Sequence, residues 1–345
     1  MGEVEGIDAG RVTDWIAQRT QITPPLEFST IEGGRSNLTY DVVDADGRRL
    51  ILRRPPLHSV LESAHDMGRE HRIISALEGS DVPVPPTVGY EPDPEVNGAP
   101  FYVMRFVEGQ VVRSAEDAEQ HLTPDTRAAA ADDLIDVLVR LHDLDPDQVG
   151  LGDLARKEDY LARQLRRWHG QLEKGRNRDL PVLDEVHARL VADIPEQGPA
   201  TIVHGDYRLD NLILDPDTGR VQAVLDWELT TLGDPLADLG LLLVYWTEPE
   251  DEVAGLPGGA TTTEGFPRRD EVTRRYAERS GRDVSEIDYY YAFGTWKLAC
   301  ILEGVYARLA AGAYGEQAAE GAAGFGDLVV QLGEVALDAA GQAGR

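Results

Sequence analysis

Acidic and amide side chains gather around a pair of predicted strands in the second half of the chain. Asp206 and Asn211 precede an apolar strand predicted over 212–214, and a second apolar strand over 221–225 leads to Asp226. Because a turn separates these strands, they are predicted to pair as a hairpin that brings the three side chains to one end. Their oxygens suit Mg²⁺, which takes one or two carboxylates together with phosphate oxygens. A further carboxylate can accept the proton of a hydroxyl nucleophile, so the pattern indicates phosphoryl transfer.

The order of these residues resembles a known family. The pattern His-x-Asp-x4-Asn, followed about 15 residues later by an aspartate at a strand end, is similar to the kinase site of aminoglycoside phosphotransferases and choline kinases. The resemblance implies that Asp206 is the catalytic base and that Asn211 and Asp226 bind magnesium. Two residues would be structural and tie the catalytic loop, 204–211, to its surroundings: His204 and Asp238. The alternative is a surface hairpin whose Asp and Asn residues favour turns.

A glycine-rich loop lies between the first two predicted strands. It contains Gly33, Gly34, Ser36 and Asn37. Phosphate binding needs close approach of the backbone, which glycine permits. The resemblance implies that this loop binds the phosphates of ATP, and an ordinary hairpin turn is the alternative.

A cation and a carboxylate are predicted to pair beside that loop. In the strand over 49–53, Ile51 and Arg53 share one face by period-2 alternation. The resemblance places Arg53 where these kinases usually carry a phosphate-binding lysine, and this is the main departure from the family pattern. Glu70 lies in the apolar stripe of a helix predicted over 63–77, where a carboxylate is costly unless paired. Arg53 is the expected partner, and a solvated Glu70 is the alternative.

The strand predicted over 101–107 resembles the hinge of the same family. The resemblance implies that the backbone of Arg105 and Val107 hydrogen-bonds adenine, with Met104 beside them as gatekeeper. An ordinary core position is equally compatible with Met104.

The elements around these residues change character near residue 108. Residues 1–108 are predicted to form a nucleotide-binding lobe of about five antiparallel strands, with one embedded helix and an N-terminal helix over 7–19. Residues 109–345 are predicted to form a helical lobe with the catalytic loop and the substrate site. This lobe has helices over 123–141, 151–171, 180–192, 235–245, 268–279, 286–309 and 327–340. The fold class predicted is α+β, a bilobal protein-kinase-like fold.

Composition excludes several other classes. The 345 residues carry 33 basic against 62 acidic side chains, a net charge of −29, which argues against nucleic-acid and anionic-membrane partners. No apolar stretch is long enough to span a bilayer. The acidic N-terminus does not resemble a signal peptide, and a single cysteine excludes a disulfide framework. A cytoplasmic protein is expected.

A local excess of arginine suggests an anionic acceptor. Arg163, Arg166 and Arg167 share one face of a predicted helix by i, i+3, i+4 spacing. This face would suit a phosphorylated substrate such as a CoA thioester, whereas a cationic aminoglycoside would prefer the opposite charge. The alternative is pairing with acidic neighbours: Glu158, Asp159 and Glu173.

Three segments point to one branch of the family. They resemble the phosphotransferase domain fused to acyl-CoA dehydrogenases: 52–56 with Arg69-Glu70, 160–168, and the aromatic run 289–298. That run could wall an acyl pocket, or could simply pack the core. The resemblance therefore implies an ATP- and Mg²⁺-dependent kinase that phosphorylates a hydroxyl of a small molecule, preferably a hydroxyacyl-CoA. An aminoglycoside or other amino alcohol is the alternative acceptor. The alternative of another class is a weakly active nucleotide-binding module that partners an acyl-CoA dehydrogenase.

Overall fold

The computed structural model describes residues 4–31, 37–57, 66–251, 259–310 and 322–342. The chain divides into two compact units. The sheet unit consists of Met1–Gly109 and Gln222–Glu228, and the helical unit consists of Gln110–Val221 and Leu229–Arg345.

A five-stranded sheet forms the body of the sheet unit. Its strands, in spatial order, are β1 (Glu27–Thr30), β2 (Leu38–Val43), β3 (Arg49–Arg54), β5 (Phe101–Arg105) and β4 (Thr87–Glu91). Every neighbouring pair is antiparallel, which confirms the predicted sheet. β3 is central, and its Arg53 lies opposite Thr39 of β2 and Tyr102 of β5.

Helix α1 (Ala9–Ala17) covers one face of this sheet. It begins after Asp8, whose side chain accepts a hydrogen bond from the Arg11 N–H. Its buried residues join an apolar cluster with alternate residues of the central strands: Val12, Trp15, Ile16, Tyr40, Val42, Leu50, Leu52, Phe101 and Val103. Leu50 and Leu52 therefore face α1, which leaves Ile51 and Arg53 on the opposite face of β3.

Helix α2 (Met67–Leu77) provides the carboxylate of the predicted ion pair. It begins at Met67 because Asp66 is its N-cap and accepts from the Arg69 N–H. Residues 63–65, where the sequence predicts its first turn, lie outside the described residues. The side chains that α2 buries include Glu70 in an otherwise apolar set: Met67, Ile73, Ile74 and Leu77.

A short helix replaces a turn that the sequence predicts at Asn97-Gly98. Helix α3 (Pro94–Asn97) is capped by the Asp93 side chain and ends at Gly98, which has φ +72°. The Asn-Gly pair therefore terminates a helical turn, because glycine tolerates the left-handed conformation that a helix end adopts.

Helices form most of the helical unit. They are α4 (Ala115–His121), α5 (Pro124–Asp143), α6 (Tyr160–Gly175), α7 (Pro181–Ala192), α8 (Leu236–Tyr245), α9 (Arg269–Ser280), α10 (Ile287–Ala310) and α11 (Ala322–Gln342). Two short strands, β6 (Thr201–Val203) and β9 (Thr231–Gly233), pair antiparallel. β7 (Leu212–Leu214) and β8 (Val221–Val224) form the two-stranded sheet that the sequence predicts. The five-stranded sheet and these helices confirm the predicted α+β class.

Two helix predictions in this unit differ from the structure. The helix predicted over 151–171 begins only at Tyr160, because the preceding Asp159 adopts φ +53°, which is incompatible with a continuing helix. Helix α4 was not predicted from its polar sequence. A capping box between Ser114 and Asp117 stabilises it locally.

Candidate active site

A buried aspartate holds the backbone of the catalytic loop in the helical unit. Asp238, at the start of α8, accepts hydrogen bonds from the backbone N–H groups of His204 (2.6 Å) and Gly205 (2.8 Å). Burial alone would raise the pKa of Asp238, but the hydrogen bonds that it accepts hold that pKa below its ordinary value. The structural role that the resemblance implies for Asp238 agrees with these contacts.

Gly205 cannot be replaced without moving this loop. It has φ +86°, and a Cβ at this position would lie 2.7 Å from the Leu229 carbonyl oxygen. A side chain would therefore bring both backbone strain and a steric clash.

A buried histidine orients Asp238 in turn. The Nε2 of His142, in α5, lies 3.3 Å from the Asp238 carboxylate, and its Nδ1 lies 2.8 Å from the Tyr276 hydroxyl of α9. Burial lowers the pKa of His142. The consistent arrangement is a neutral imidazole whose Nε2–H donates to Asp238 while Nδ1 accepts from Tyr276. Sequence reasoning missed both residues, and the only available signal was a histidine directly after the helix predicted over 123–141.

The structure brings Asp206 and Asn211 together. The amide nitrogen of Asn211 donates to the Asp206 carbonyl (2.8 Å) and to its Oδ2 (2.9 Å). Residues Leu209–Asn211 form a 3₁₀ turn, which folds the asparagine back over the aspartate. Since the amide nitrogen is used inside the loop, Oδ1 is the Asn211 atom that could bind a cation.

Arg208 lies between two carboxylates of the same loop. Its guanidinium is 3.4 Å from Asp206 Oδ2 and 3.1 Å from Asp210 Oδ2, and it stacks over the Tyr245 ring at 4.4 Å. These contacts restrain the orientation of the Asp206 carboxylate.

The predicted ion pair is present in the sheet unit. Arg53 Nη1 lies 2.5 Å from Glu70 Oε1, and Nη2 lies 3.9 Å from Asp226 Oδ1. Glu70 is 1% exposed, so its solvated alternative is wrong. Burial raises the pKa of Glu70, and the Arg53 charge opposes this shift. Burial would lower the pKa of Arg53, but Tyr102, Glu70 and Asp226 outweigh it and raise that pKa.

Asp226 has features that fit a cation ligand. It is one of two non-glycine residues with positive φ, here +65°, among those that the structure describes. Its Oδ1 is buried and accepts no hydrogen bond within the described ranges. A buried carboxylate oxygen without a donor is costly unless a cation neutralises it. A carboxylate oxygen of this kind is a ligand that magnesium accepts.

The structure describes some of the other residues predicted to contact the nucleotide and not the rest. Asn37 is buried, and its amide nitrogen is 3.4 Å from Glu228 Oε2. The Arg105 N–H donates to the Pro86 carbonyl (2.8 Å), which leaves its own carbonyl as the group that could face adenine. Val107 is half-buried, and Met104 is buried as its core alternative requires. Three predicted residues lie outside the described part of the chain: Gly33, Gly34 and Ser36.

The three arginines of the predicted basic face lie on α6. Arg166 and Arg167 are exposed, and Arg163 donates to the Arg156 carbonyl (2.7 Å). None of the three forms an ion pair with a carboxylate of the described residues. The acidic neighbours considered as partners bind other arginines: Glu158 and Asp159 bind Arg156, and Glu173 binds Arg176. The ion pairs of the described residues therefore do not support the pairing alternative for this face.

The aromatic run of α10 packs the core. Tyr289 donates its hydroxyl to the Leu190 carbonyl, and Tyr290 donates to Asp234 Oδ2, both at 2.8 Å. Phe293 and Trp296 are also buried. These contacts favour the core interpretation over the wall of an acyl pocket. The same helix carries Lys297, a buried lysine that sequence reasoning did not select.

Comparison with known proteins identifies the family. The phosphotransferase enzyme family, APH, matches residues 27–273, and the chain belongs to this family. Acyl-CoA dehydrogenase family member 10 from Mus musculus is 34% identical over 328 residues, which cover 94% of this chain and 30% of that protein. A solved Ralstonia eutropha protein assigned as an aminoglycoside phosphotransferase is 31% identical with a TM-score of 0.82, and the match covers 97% of this chain and 99% of that one.

A more distant structure shares the fold. It is an aminoglycoside phosphotransferase in a ternary complex with streptomycin and ATP, 17% identical with a TM-score of 0.58, covering 88% of this chain and 91% of that one. The chain spans about a third of the length of the curated relatives it matches. The match covers 30% of the Mus musculus protein and 40% of acyl-CoA dehydrogenase family member 11 from Gallus gallus. These findings confirm the family predicted from the sequence and its likeness to the domain carried by acyl-CoA dehydrogenase family members.

The class of protein follows from this membership. The chain is a phosphotransferase of a family that transfers phosphate to hydroxyl groups of small molecules. Within the described ranges, no helix has the length and hydropathy that a bilayer crossing requires.

The Arg53–Glu70 pair gives a prediction for stability. Replacing Glu70 with Ala leaves a largely buried guanidinium without its closest partner, which costs about 3–5 kcal/mol in typical cases. We expect the low end of that range, because Asp226 still lies 3.9 Å from Arg53. Urea denaturation measures the change. Glu27→Gln, at an exposed carboxylate of the same unit, is the control and should change the free energy of unfolding by less than about 0.5 kcal/mol. Equal effects of the two variants would contradict the pairing.

Proposed function

We propose that the protein is an ATP- and Mg²⁺-dependent kinase that phosphorylates the hydroxyl group of a hydroxyacyl-CoA. Family membership supplies the reaction class. The observation that carries the choice of acceptor is the face of α6, where three neighbouring arginines lack carboxylate partners among the described residues. In a chain of net charge −29, an unpaired basic face is a specific recognition feature.

Asp206 is the proposed catalytic base. Its carboxylate accepts the proton of the acceptor hydroxyl as the oxygen attacks the γ-phosphorus. Asn211 and Arg208 hold the carboxylate in one orientation, so little conformational entropy remains to be lost when the acceptor binds. The hydrogen bonds that Asp238 accepts from the N–H groups of His204 and Gly205 hold the backbone just before Asp206 and support the same orientation.

The proposed nucleotide contacts come from the sheet unit. Arg53, held by Glu70, binds ATP phosphate oxygens through its two-pronged guanidinium, which replaces the usual lysine. The loop residues Gly33, Gly34, Ser36 and Asn37 are proposed to bind phosphate as well. Adenine would lie against Ile51 and hydrogen-bond the backbone of two residues: Arg105 through its carbonyl and Val107 through its N–H.

Magnesium would be held by Asn211 and Asp226. The amide oxygen of the first and the buried Oδ1 of the second are the chemically suitable atoms. When bound, the metal neutralises developing charge on the phosphate oxygens.

The acceptor assignment rests on charge and on relatives. Arg163, Arg166 and Arg167 would bind the phosphates of CoA, which is consistent with a relative named as an acyl-CoA dehydrogenase family member. An aminoglycoside acceptor has one supporting observation, the name of the Ralstonia eutropha relative. A polycationic sugar would however be repelled by this face.

A partner acyl-CoA dehydrogenase follows from the same relatives. This chain matches only about a third of their length, so we propose that it works on an acyl-CoA intermediate handled by such an enzyme. A weakly active module that merely partners the dehydrogenase is the alternative. The presence of Asp206, Asn211 and Asp226 favours an active enzyme. We place the reaction in the cytoplasm.

Charge reversal of the α6 face tests the acceptor. Replacing Arg163, Arg166 and Arg167 together with Glu should raise KM for the thioester. Each exposed contact contributes up to about 1 kcal/mol, so the combined effect is on the order of 100-fold. KM for ATP should stay unchanged, because the proposed ATP contacts involve other residues. Steady-state kinetics with each substrate varied in turn measures both constants.

A matched triple variant separates this effect from net charge. Arg189, Arg268 and Arg274 are arginines of the helical unit that already pair with carboxylates. Their replacement by Glu changes the total charge equally and should leave KM for the thioester within about threefold of the wild-type value. The acyl-CoA assignment is wrong if both triple variants have the same effect on KM for the thioester. It is also wrong if the wild-type protein prefers a cationic sugar to the thioester.

A further inference from the structure

Lys297 is buried in α10 and has no carboxylate partner among the residues that the structure describes. The residue is 7% exposed, and its ammonium donates to the Gly205 carbonyl oxygen at 3.0 Å. Its Nζ also lies 5.6 Å from the centroid of the Trp168 ring, within reach of a cation–π interaction. In the described parts of the chain no carboxylate lies within ion-pair distance of this nitrogen. A buried ammonium held by one neutral hydrogen bond is costly, so its retention calls for a role beyond packing.

The group that Lys297 binds is part of the catalytic loop. The Gly205 carbonyl belongs to the peptide unit that joins Gly205 to Asp206. The backbone N–H groups of His204 and Gly205, immediately before it, donate to Asp238. Two helices therefore hold three successive polar groups of one backbone segment: α8 binds the two N–H groups and α10 binds the carbonyl.

This arrangement determines the orientation of the peptide from which the Asp206 side chain projects. The plane of a peptide is rigid, so a bond to its carbonyl oxygen fixes its rotation about the chain. Asp238 does not hold the Gly205–Asp206 peptide, because both its bonds lie on the preceding peptides. The N–H of this peptide donates to His204 Nδ1 at 3.3 Å, and Lys297 holds its carbonyl oxygen on the other side. Glycine at 205 adds little restraint of its own, since it permits many backbone conformations.

The charge of Lys297 acts in the same direction. Burial lowers the pKa of this lysine, while the negative charges of Asp206 and Asp238 oppose the shift and Arg167 adds to it. The negative charges of the two aspartates thus attract the ammonium toward the loop.

We infer that Lys297 is a positioning residue, which holds the Gly205–Asp206 peptide and thereby aims the carboxylate of Asp206. The inference rests on the proposed role of Asp206 as catalytic base. It adds to that role a cation on a helix far away in sequence, which acts on the loop through a backbone oxygen.

Three variants of the full chain test this role. Lys297→Met removes the charge and the hydrogen bond but keeps the length of the side chain, and such exchanges of a buried charge are often tolerated by the fold. Lys297→Arg keeps the charge and the donor. Thr295→Val is the matched control, because Thr295 is buried on the same helix and bonds only the Tyr291 carbonyl in the described structure.

The first readout is kinetic, with ATP and a panel of hydroxyacyl-CoAs as substrates and ATP hydrolysis as the background reaction. In Lys297→Met, kcat should fall by about 10- to 100-fold, the scale of a small misplacement of a catalytic group, while KM for ATP stays unchanged. Lys297→Arg should recover most of the loss, and Thr295→Val should match the wild type. A loss of packing alone would instead be as large in the arginine variant as in the methionine variant.

The second readout does not depend on activity. Amide hydrogen exchange of peptides covering 201–212 should be faster in Lys297→Met than in the wild type or in Thr295→Val, while the rest of α10 keeps its protection. If Lys297→Met fails to fold, Lys297→Gln, which keeps a neutral donor, is measured in the same two ways and should lie between wild type and complete loss.

The two readouts distinguish two kinds of failure. Unchanged exchange and unchanged kcat in a folded Lys297→Met or Lys297→Gln protein would overturn the positioning role and leave the proposed kinase function intact. A wild-type protein that neither transfers phosphate nor hydrolyses ATP would overturn the proposed function. Faster exchange in the variant would then still support the contact between Lys297 and the loop.

Discussion

Replacement of Asp206 with Asn should cut turnover of the acceptor by about 10²- to 10⁴-fold, the usual effect of losing a general base. Binding of Mg·ATP should stay close to that of the wild type, because Asp206 is proposed to contact the acceptor hydroxyl and not the nucleotide. Asparagine keeps the size of the side chain and can still accept from the Asn211 amide, so the loop should retain its shape. Steady-state kinetics and calorimetric titration with ATP measure the two quantities separately.

Asp217→Asn is the matched control for this variant. Asp217 lies exposed in the turn between β7 and β8, and its backbone N–H donates a hydrogen bond to Asp215 Oδ1. The same chemical change there should leave kcat and ATP affinity unaltered. An Asp206→Asn protein that loses ATP affinity but keeps its turnover would show that the role assigned to Asp206 is wrong.

Replacement of Asp226 with Ala should act in the opposite way and abolish the Mg²⁺-dependent part of nucleotide binding. The variant removes a charged oxygen that is buried without a hydrogen-bond donor in the described structure, and magnesium depends on such ligands. Turnover should therefore fall with nucleotide affinity. Titration with ATP in the presence and in the absence of Mg²⁺ separates the metal-dependent part from the rest.

The backbone at Asp226 calls for a second variant. Its φ of +65° is tolerated by Asp and Asn but strains alanine. Asp226→Asn removes the charge without this strain and should show the same loss of Mg²⁺ dependence. If Asp226→Asn binds Mg·ATP as the wild type does while only Asp226→Ala is impaired, backbone strain explains the effect and the metal-ligand role is wrong.

Local sequence patterns were sufficient for residues that act within one element or one turn. The spacing of Asp206 and Asn211 predicted a shared site because a single 3₁₀ turn connects them. Period-2 alternation in β3 and the apolar stripe of α2 predicted the contact between Arg53 and Glu70, since Glu70 was the one charged residue in the apolar stripe of α2 and needed a cation as partner. A carboxylate on a buried face needs a cation nearby, and few cations lie on neighbouring buried faces.

Residues that support the loop from distant elements were not predictable in this way. His142 precedes His204 by 62 positions and Lys297 follows Gly205 by 92, and nothing in a single sequence shows which helix packs beside which loop. The start of α6 was misplaced for a different reason. Leu151 and Leu154 lie at helical spacing from Leu161, which suggested an earlier start, but the left-handed conformation of Asp159 depends on local backbone geometry that hydrophobic periodicity does not report.

The central claim is that a hydroxyacyl-CoA receives the γ-phosphate of ATP. The most direct measurement incubates the wild-type protein with Mg²⁺, ATP labelled in its γ-phosphate and a hydroxyacyl-CoA, and follows the label by chromatography and mass spectrometry. Parallel reactions contain the unsubstituted acyl-CoA, a free hydroxy acid, an aminoglycoside or choline. The account predicts label on the hydroxyl of the hydroxyacyl-CoA alone, with transfer slowed by about 10²- to 10⁴-fold in Asp206→Asn. Transfer of label to the aminoglycoside in preference to the thioester, or to no acceptor while ATP still binds, would contradict it.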